Sequence, residues 1–113
     1  MGKKVAYDKE NDILSIHNGF MPDEKFKGNI DAGDLVLDLS TKGRIRGIEL
    51  LNASGFLKDL GVEKQVLENL TGAEFKAQIK PNSIIISMLL KAKNIVKEIP
   101  AKIAVPIGIR AAA

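Results

Sequence analysis

A single histidine and the absence of cysteine bound the chemistry open to this chain. A serine–histidine–aspartate relay would need His17 as its base. His17 follows Ile16 and precedes Asn18-Gly19, so a solvated side chain at a turn is expected, and His17→Gln is expected to be nearly neutral. Zinc takes several histidine or cysteine ligands, which one histidine cannot supply. Without cysteine there are no disulfides, thiolate nucleophiles or iron–sulfur clusters. Asp8, Glu10 and Asp12 invite comparison with a calcium loop. Calcium, however, wants about six to eight oxygens, with ligands spread over a longer loop around a central glycine. A hydrogen-bonded turn is the better reading. Asp31 and Asp34 flank Ala32-Gly33, a turn, and Asp38 is expected to pair with Arg46. The two glycines of Gly43-Arg44-Ile45-Arg46-Gly47 fall inside a hairpin and do not open a helix, so they make no phosphate loop. No catalytic, cofactor-binding or metal-ligating residue is assigned, and no cofactor is implied.

Charge points outward from the chain rather than to a site. Residues 1–51 carry eight Lys/Arg against nine Asp/Glu, whereas residues 71–113 carry seven against two. Lys76, Lys80, Lys91 and Lys93 form a candidate basic patch that could suit an acidic partner. Binding to single-stranded nucleic acid is helped by aromatics among such lysines. Only Tyr7, Phe20, Phe26, Phe56 and Phe75 are available, and alternation puts Phe75 on the face opposite Lys76, so nucleic acid is a poor fit. The most apolar run is Ile84 to Leu90, far short of the about 20 residues a membrane helix needs. A strand-like pattern follows the basic start instead of a signal-peptide core, and a cytoplasmic location is expected.

Strands and turns must position these residues. Val5-Ala6-Tyr7 and Ile13-Leu14-Ser15-Ile16 flank a turn-forming Asp8–Asp12 segment, a hairpin signal. A third strand is expected over Lys25–Ile30. The clearest hairpin joins Leu35-Val36-Leu37-Asp38-Leu39 to Arg44–Leu50 through Thr41-Lys42-Gly43, with Gly43 left-handed. The apolar period slips once at Arg46-Gly47, and a bulge at Gly47 restores it. Leu39 then faces Ile45, Asp38 faces Arg46, Leu37 faces Ile48 and Leu35 faces Leu50. A short helix capped by Asn52 or Ser54 runs to Leu60 and stops at Gly61. A second runs from Val62 to Leu70 and ends at Gly72.

The last third returns to strands. Phe75, Ala77 and Ile79 alternate with Glu74, Lys76, Gln78 and Lys80, giving a half-buried strand, and Pro81-Asn82-Ser83 turns it back. Ile84–Leu90 is apolar on both faces and therefore demands cover on both. Ile103, Val105, Ile107 and Ile109 alternate in a final strand that Pro106 confines to an edge. Two short helices cannot cover all of this. Ile85, Ser87, Leu89, Val105 and Ile107 are therefore the candidate interface for self-association, in the first instance as a homodimer. The chain reads as one domain over residues 1–110. Ala111-Ala112-Ala113 reads as a cloning remnant.

Taken together, Val5–Asp8, Asn11–Ile16, Asp31-Ala32-Gly33, Leu35–Asp38 and above all Gly43–Ser54 resemble the small prokaryotic domain of unknown function 2283 over residues 5–57. Ser15 stands where that family usually has an aromatic, and the chain continues past the family's usual end. The resemblance implies a small β-rich domain and carries no catalytic residues to transfer. The expected fold is α+β and mostly β: antiparallel hairpins, about six to eight strands, with one or two short helices near residues 54–70. The leading function is a non-catalytic protein-interaction or oligomerisation module. Two alternatives are a small-molecule-binding protein or enzyme whose site converges only in three dimensions, and a weak nucleic-acid binder through the C-terminal lysines.

Overall fold

The computed structural model describes residues 4–93 and the backbone of residues 99–106. Its eight strands form two antiparallel sheets with two short helices between them in sequence. The first sheet holds β1 (Lys4–Asp8), β2 (Ile13–His17), β3 (Phe26–Ala32), β4 (Leu35–Ser40) and β5 (Ile45–Leu50), in the order β1-β2-β5-β4-β3. Helices α1 (Ala53–Lys58) and α2 (Lys64–Glu68) come next, and then the second sheet, β6 (Leu70–Ile79), β7 (Ser83–Ala92) and β8 (Ile99–Pro106) in sequential order. The mostly β α+β class and the two short helices agree with the expectation from sequence.

Alternation explains how each sheet finds its inner face. Leu14, Ile16, Leu35, Leu37, Ile48 and Leu50 of the first sheet are all buried. So are Phe75, Ile84, Ile86, Met88 and Leu90 of the second, and Leu57, Val62, Val66 and Leu67 of the helical segment. These side chains form one contiguous core. The β4–β5 register pairs Leu35 with Leu50, Leu37 with Ile48 and Leu39 with Ile45, as alternation requires. Gly43 is left-handed at φ 75°.

Three local expectations need correction. The bulge lies at the expected place, but Asp38 pairs with Gly47 and not with Arg46. Arg46 is the extra residue, and its side chain leaves the ladder. The second helix stops at Glu68, and Leu70 and Gly72 belong to β6, where the register shifts between them. Leu70 suits a helix stripe and a strand face equally, and pairing with Ala92 decides for the strand. The cap of α1 is not local: Asn52 is left-handed at φ 53° and makes no side-chain cap bond. Asp12, in the β1–β2 turn, caps the helix from outside. Its backbone oxygen accepts the Ala53 N–H at 2.9 Å, its Oδ1 accepts the Ser54 N–H at 3.0 Å and its Oδ2 accepts the Ser54 hydroxyl at 2.7 Å.

Strand order places β2 beside β5, so the 18–25 segment must cross the ends of β5 and β4 to reach β3. This is the long connection of a Greek key. Arg46 Nε donates to Gly19 O at 2.7 Å, and Arg44 forms a two-pronged pair with Glu24 at 2.9 and 2.8 Å. Ser40 Oγ donates to the same carboxylate at 2.6 Å. The displaced arginine of the bulge and its neighbour thus fasten the crossover.

Candidate interaction surfaces

Of the carboxylates that suggested metal or acid–base chemistry, Asp8, Asp12, Asp34 and Asp38 are engaged by hydrogen bonds within the fold. Asp8 accepts from Asn11 through both carboxylate oxygens. Asp12 accepts from Tyr7 as well as from Ser54. Partial burial works against the Asp12 charge, but the bonds from Tyr7 and Ser54 outweigh it and hold the carboxyl below the usual aspartate range. Burial first, and then the bond to Asp12, push the Tyr7 hydroxyl up to about 12. Asp34 accepts a long bond from Asn52 at 3.4 Å, and Asp38 accepts from Asn29 at 2.7 Å. Asp31 lies on β3 opposite Val36. Among the described residues no three histidine, aspartate or glutamate side chains converge as a metal group.

His17 is not a solvated turn residue. It ends β2, is half-buried, and its Nδ1 accepts the Gly19 N–H at 2.8 Å. Its ring meets Phe20 edge-on at 4.8 Å. Backbone register sets it in a row that crosses the whole first sheet: Lys4, His17, Gly47, Asp38, Asn29. A shallow depression of about 260 Å³ lies on this outer face, lined by Lys4, Ser15, His17, Asp38 and Glu49 among others. Glu24, unremarked in the sequence, is the most buried acid in the described chain. The hydrogen bonds from Arg44 lower its carboxyl to about 2, against the desolvation that burial imposes. The Met21 N–H also donates to it from three residues upstream, but Ser40 and Arg44 lie 16 and 20 positions downstream, beyond the reach of local patterns.

The second sheet divides its apolar strand unequally. Along β7, Ile84, Ile86, Met88 and Leu90 are buried, whereas Ile85, Ser87 and Leu89 are half-buried on the outer face. They pair with Gln78, Lys76 and Glu74 of β6 and with Ala104, Lys102 and Pro100 of β8. Leu89 borders a depression of about 280 Å³ shared with Lys4, Thr71, Glu74 and Lys91. Val105 pairs with Ile84, outside the Ile85 row, and Ile107 lies outside the described residues. β8 is an edge strand. Lys76, Lys80, Lys91 and Lys93 are all exposed but run from the β6–β7 turn to the far end of β7, a span of roughly 30 Å.

A third feature, which the sequence did not suggest, is a groove of about 500 Å³ between the β4–β5 hairpin and β6. Gly43 to Arg46 form one wall and Phe75 to Ile79 the other, with Asn18 also lining it. No signal in the sequence brings these segments together, because they meet only when the sheets pack. Among the described residues no helix is long and apolar enough to cross a membrane.

Comparison with known proteins agrees with the resemblance. Residues 4–54 match the model of the family described as "Protein of unknown function (DUF2283)". An uncharacterised protein of Methanocaldococcus jannaschii is 33% identical over 97% of this chain and 94% of its own length. A protein of Methanosarcina mazei named as a putative hypoxanthine phosphoribosyltransferase is 25% identical over 80% of this chain and 69% of its own length. No solved structure matches the chain. The matched stretch includes the bulged β4–β5 hairpin and ends within α1, and the chain belongs to the DUF2283 family.

Proposed function

We propose that the protein is a non-catalytic interaction module that associates with itself through the outer face of β6–β7–β8. The carrying observation is the Ile85-Ser87-Leu89 row on the central strand of that sheet, which stays half-buried on the outer face while its alternating neighbours Ile84, Ile86, Met88 and Leu90 are fully buried. Size decides the strength. Three strands spaced about 4.8 Å apart and roughly 30 Å long present roughly 450 Å². A two-fold contact would bury roughly 900 Å² in all, below the about 1,200 Å² of a standard interface. A contact of this size fits a weak, concentration-dependent association rather than an obligate one. The enzymatic reading invited by the Methanosarcina mazei relative rests on that protein's name alone.

Sedimentation velocity from about 10 µM to about 1 mM tests the proposal. The weight-average mass should rise above the 12.2 kDa chain with concentration. Leu89→Lys, at a half-buried position outside the core, should keep the fold and abolish the rise. A chain that stays monomeric throughout, or a folded Leu89→Lys variant that associates as before, overturns the proposal.

A further inference from the structure

The groove lies along the outer edge of β6, the first strand of the second sheet. Asn18, just past the end of β2, holds both walls: its backbone N–H donates to Arg46 O at 2.8 Å and its side-chain amide donates to Phe75 O at 2.9 Å. Asn18 Oδ1 is buried and finds no donor among the described residues. Beyond Asn18 the walls separate, and among the described residues no strand lies between them.

The backbone of β6 is open along this stretch. Phe75 O bonds to Asn18 and so points away from β7, whereas Lys80 N–H donates to Ser83 O and so points toward it. Antiparallel alternation then turns the N–H and C=O groups of Ala77 and Ile79 into the groove. No hydrogen bond among the described residues takes them up. The Ile79 side chain is 53% exposed, although Phe75, four residues earlier on the same face, is buried. An unpaired edge ending in an exposed isoleucine is the arrangement that strand addition uses: main-chain bonds hold the guest and side-chain pockets select it.

Charge identifies the guest. The groove is lined by Arg44, Arg46 and Lys76 and by no acid. Among the described residues Glu24 is the carboxylate ion-paired with the two arginines, while Asp23 acts on Arg44 from farther off and is itself paired with Lys42, so cations outnumber acids around the groove. The floor and end are apolar, formed by Ile45, Ala77 and Ile79. We propose that this groove binds an extended, acidic peptide segment of a protein partner as an added strand on β6. The edge from Phe75 to Ile79 accommodates roughly four to five residues, with apolar side chains directed to Ile45 and Ile79 and the alternate carboxylates to Lys76 and the arginines. This site is separate from the Ile85-Ser87-Leu89 row and goes beyond self-association.

The test titrates the full chain with a capped peptide of about six alternating valine and glutamate residues, monitored by amide-resolved NMR. The valine–lysine counterpart is the control. Shifts should concentrate at Ala77, Gln78, Ile79 and Gly43–Arg46, and the lysine peptide should bind at least tenfold more weakly. Ile79→Glu and Lys76→Glu, both at exposed positions, should each weaken binding about tenfold with the melting temperature unchanged. Leu89→Lys should leave peptide binding unaltered, so failure here and failure of the self-association reading are told apart. The proposal is overturned if the peptide shifts nothing along the groove, or if both peptides bind equally. It is also overturned if a single-stranded oligonucleotide binds these residues more tightly than the peptide. Loss of dimer mass in Ile79→Glu would assign the groove to a second copy of the chain, and that too overturns it.

Discussion

A β-carbon at Gly47 would lie 2.5 Å from Asp38 Oδ2 and 2.7 Å from His17 Cδ2. Neither neighbour is free to swing away, because Asp38 is bonded by Asn29 and His17 by the Gly19 N–H. Glycine is required here by close approach from both sides, since its φ is not positive. Gly47→Ala should cost on the order of 1 kcal/mol: about 1–3 for overpacking, less a gain of about 0.4–1 from a stiffer unfolded chain. An Asp38→Ala background should recover at least half of that cost. Urea unfolding of the two single variants and the double variant measures the coupling. Strictly additive costs would show that Asp38 is not the obstacle. The period slip at Arg46-Gly47 made the bulge legible in the sequence. The crowding was not, because His17 arrives from a strand paired through long-range register. The same non-local packing removes the expected neutrality of His17→Gln, which would lose the contact with Phe20.

At the scale of elements, local alternation was readable and fastening from a distance was not. The β4–β5 hairpin needed only its own leucines, its loop glycine and one slip of period. The crossover 18–25 offered only turn residues, and its fastenings come from Arg44 and Arg46 on another hairpin. This attachment predicts a response to acid. Glu24 titrates at about 2 in the folded chain, against 4.5 for an unperturbed glutamate. Between these values the unfolded chain binds the additional proton, so stability contributed by the ion pair is present above about pH 4.5 and is lost as pH falls toward 2. Melting temperature measured from about pH 6 to pH 2 should fall more steeply for the wild type than for Glu24→Gln, which cannot titrate at this position. Parallel curves would show that Glu24 does not couple the crossover to the hairpin. Asp8 and Asp12 are also depressed, but they contribute to both curves and cancel in the comparison.

For the whole molecule, the family-matched stretch and the folding unit differ. The match ends at residue 54, yet the inner face of the first sheet packs against the helices and the second sheet, which lie downstream of it. Leu14, Ile16, Leu35, Leu37, Ile48 and Leu50 are each at most 3% exposed, in one core with Leu57, Val62, Leu67, Ile86 and Met88. Uncovering six such side chains at about 1.5–3 kcal/mol each forfeits roughly 9–18 kcal/mol, as much as the entire stability of a typical domain, about 5–15 kcal/mol. Helix α1 would be cut after its second residue and could not form, although its cap Asp12 lies within the matched stretch. A fragment of residues 4–54 should therefore give the collapsed amide dispersion of an unfolded chain, or should aggregate through its bare face. The full chain, sharing one core between both sheets, should unfold in a single transition, coincident by far-ultraviolet dichroism and by amide exchange. A fragment that folds as a stable monomer would show that the first sheet closes over its own leucines, and that the second sheet is an addition to a self-sufficient unit.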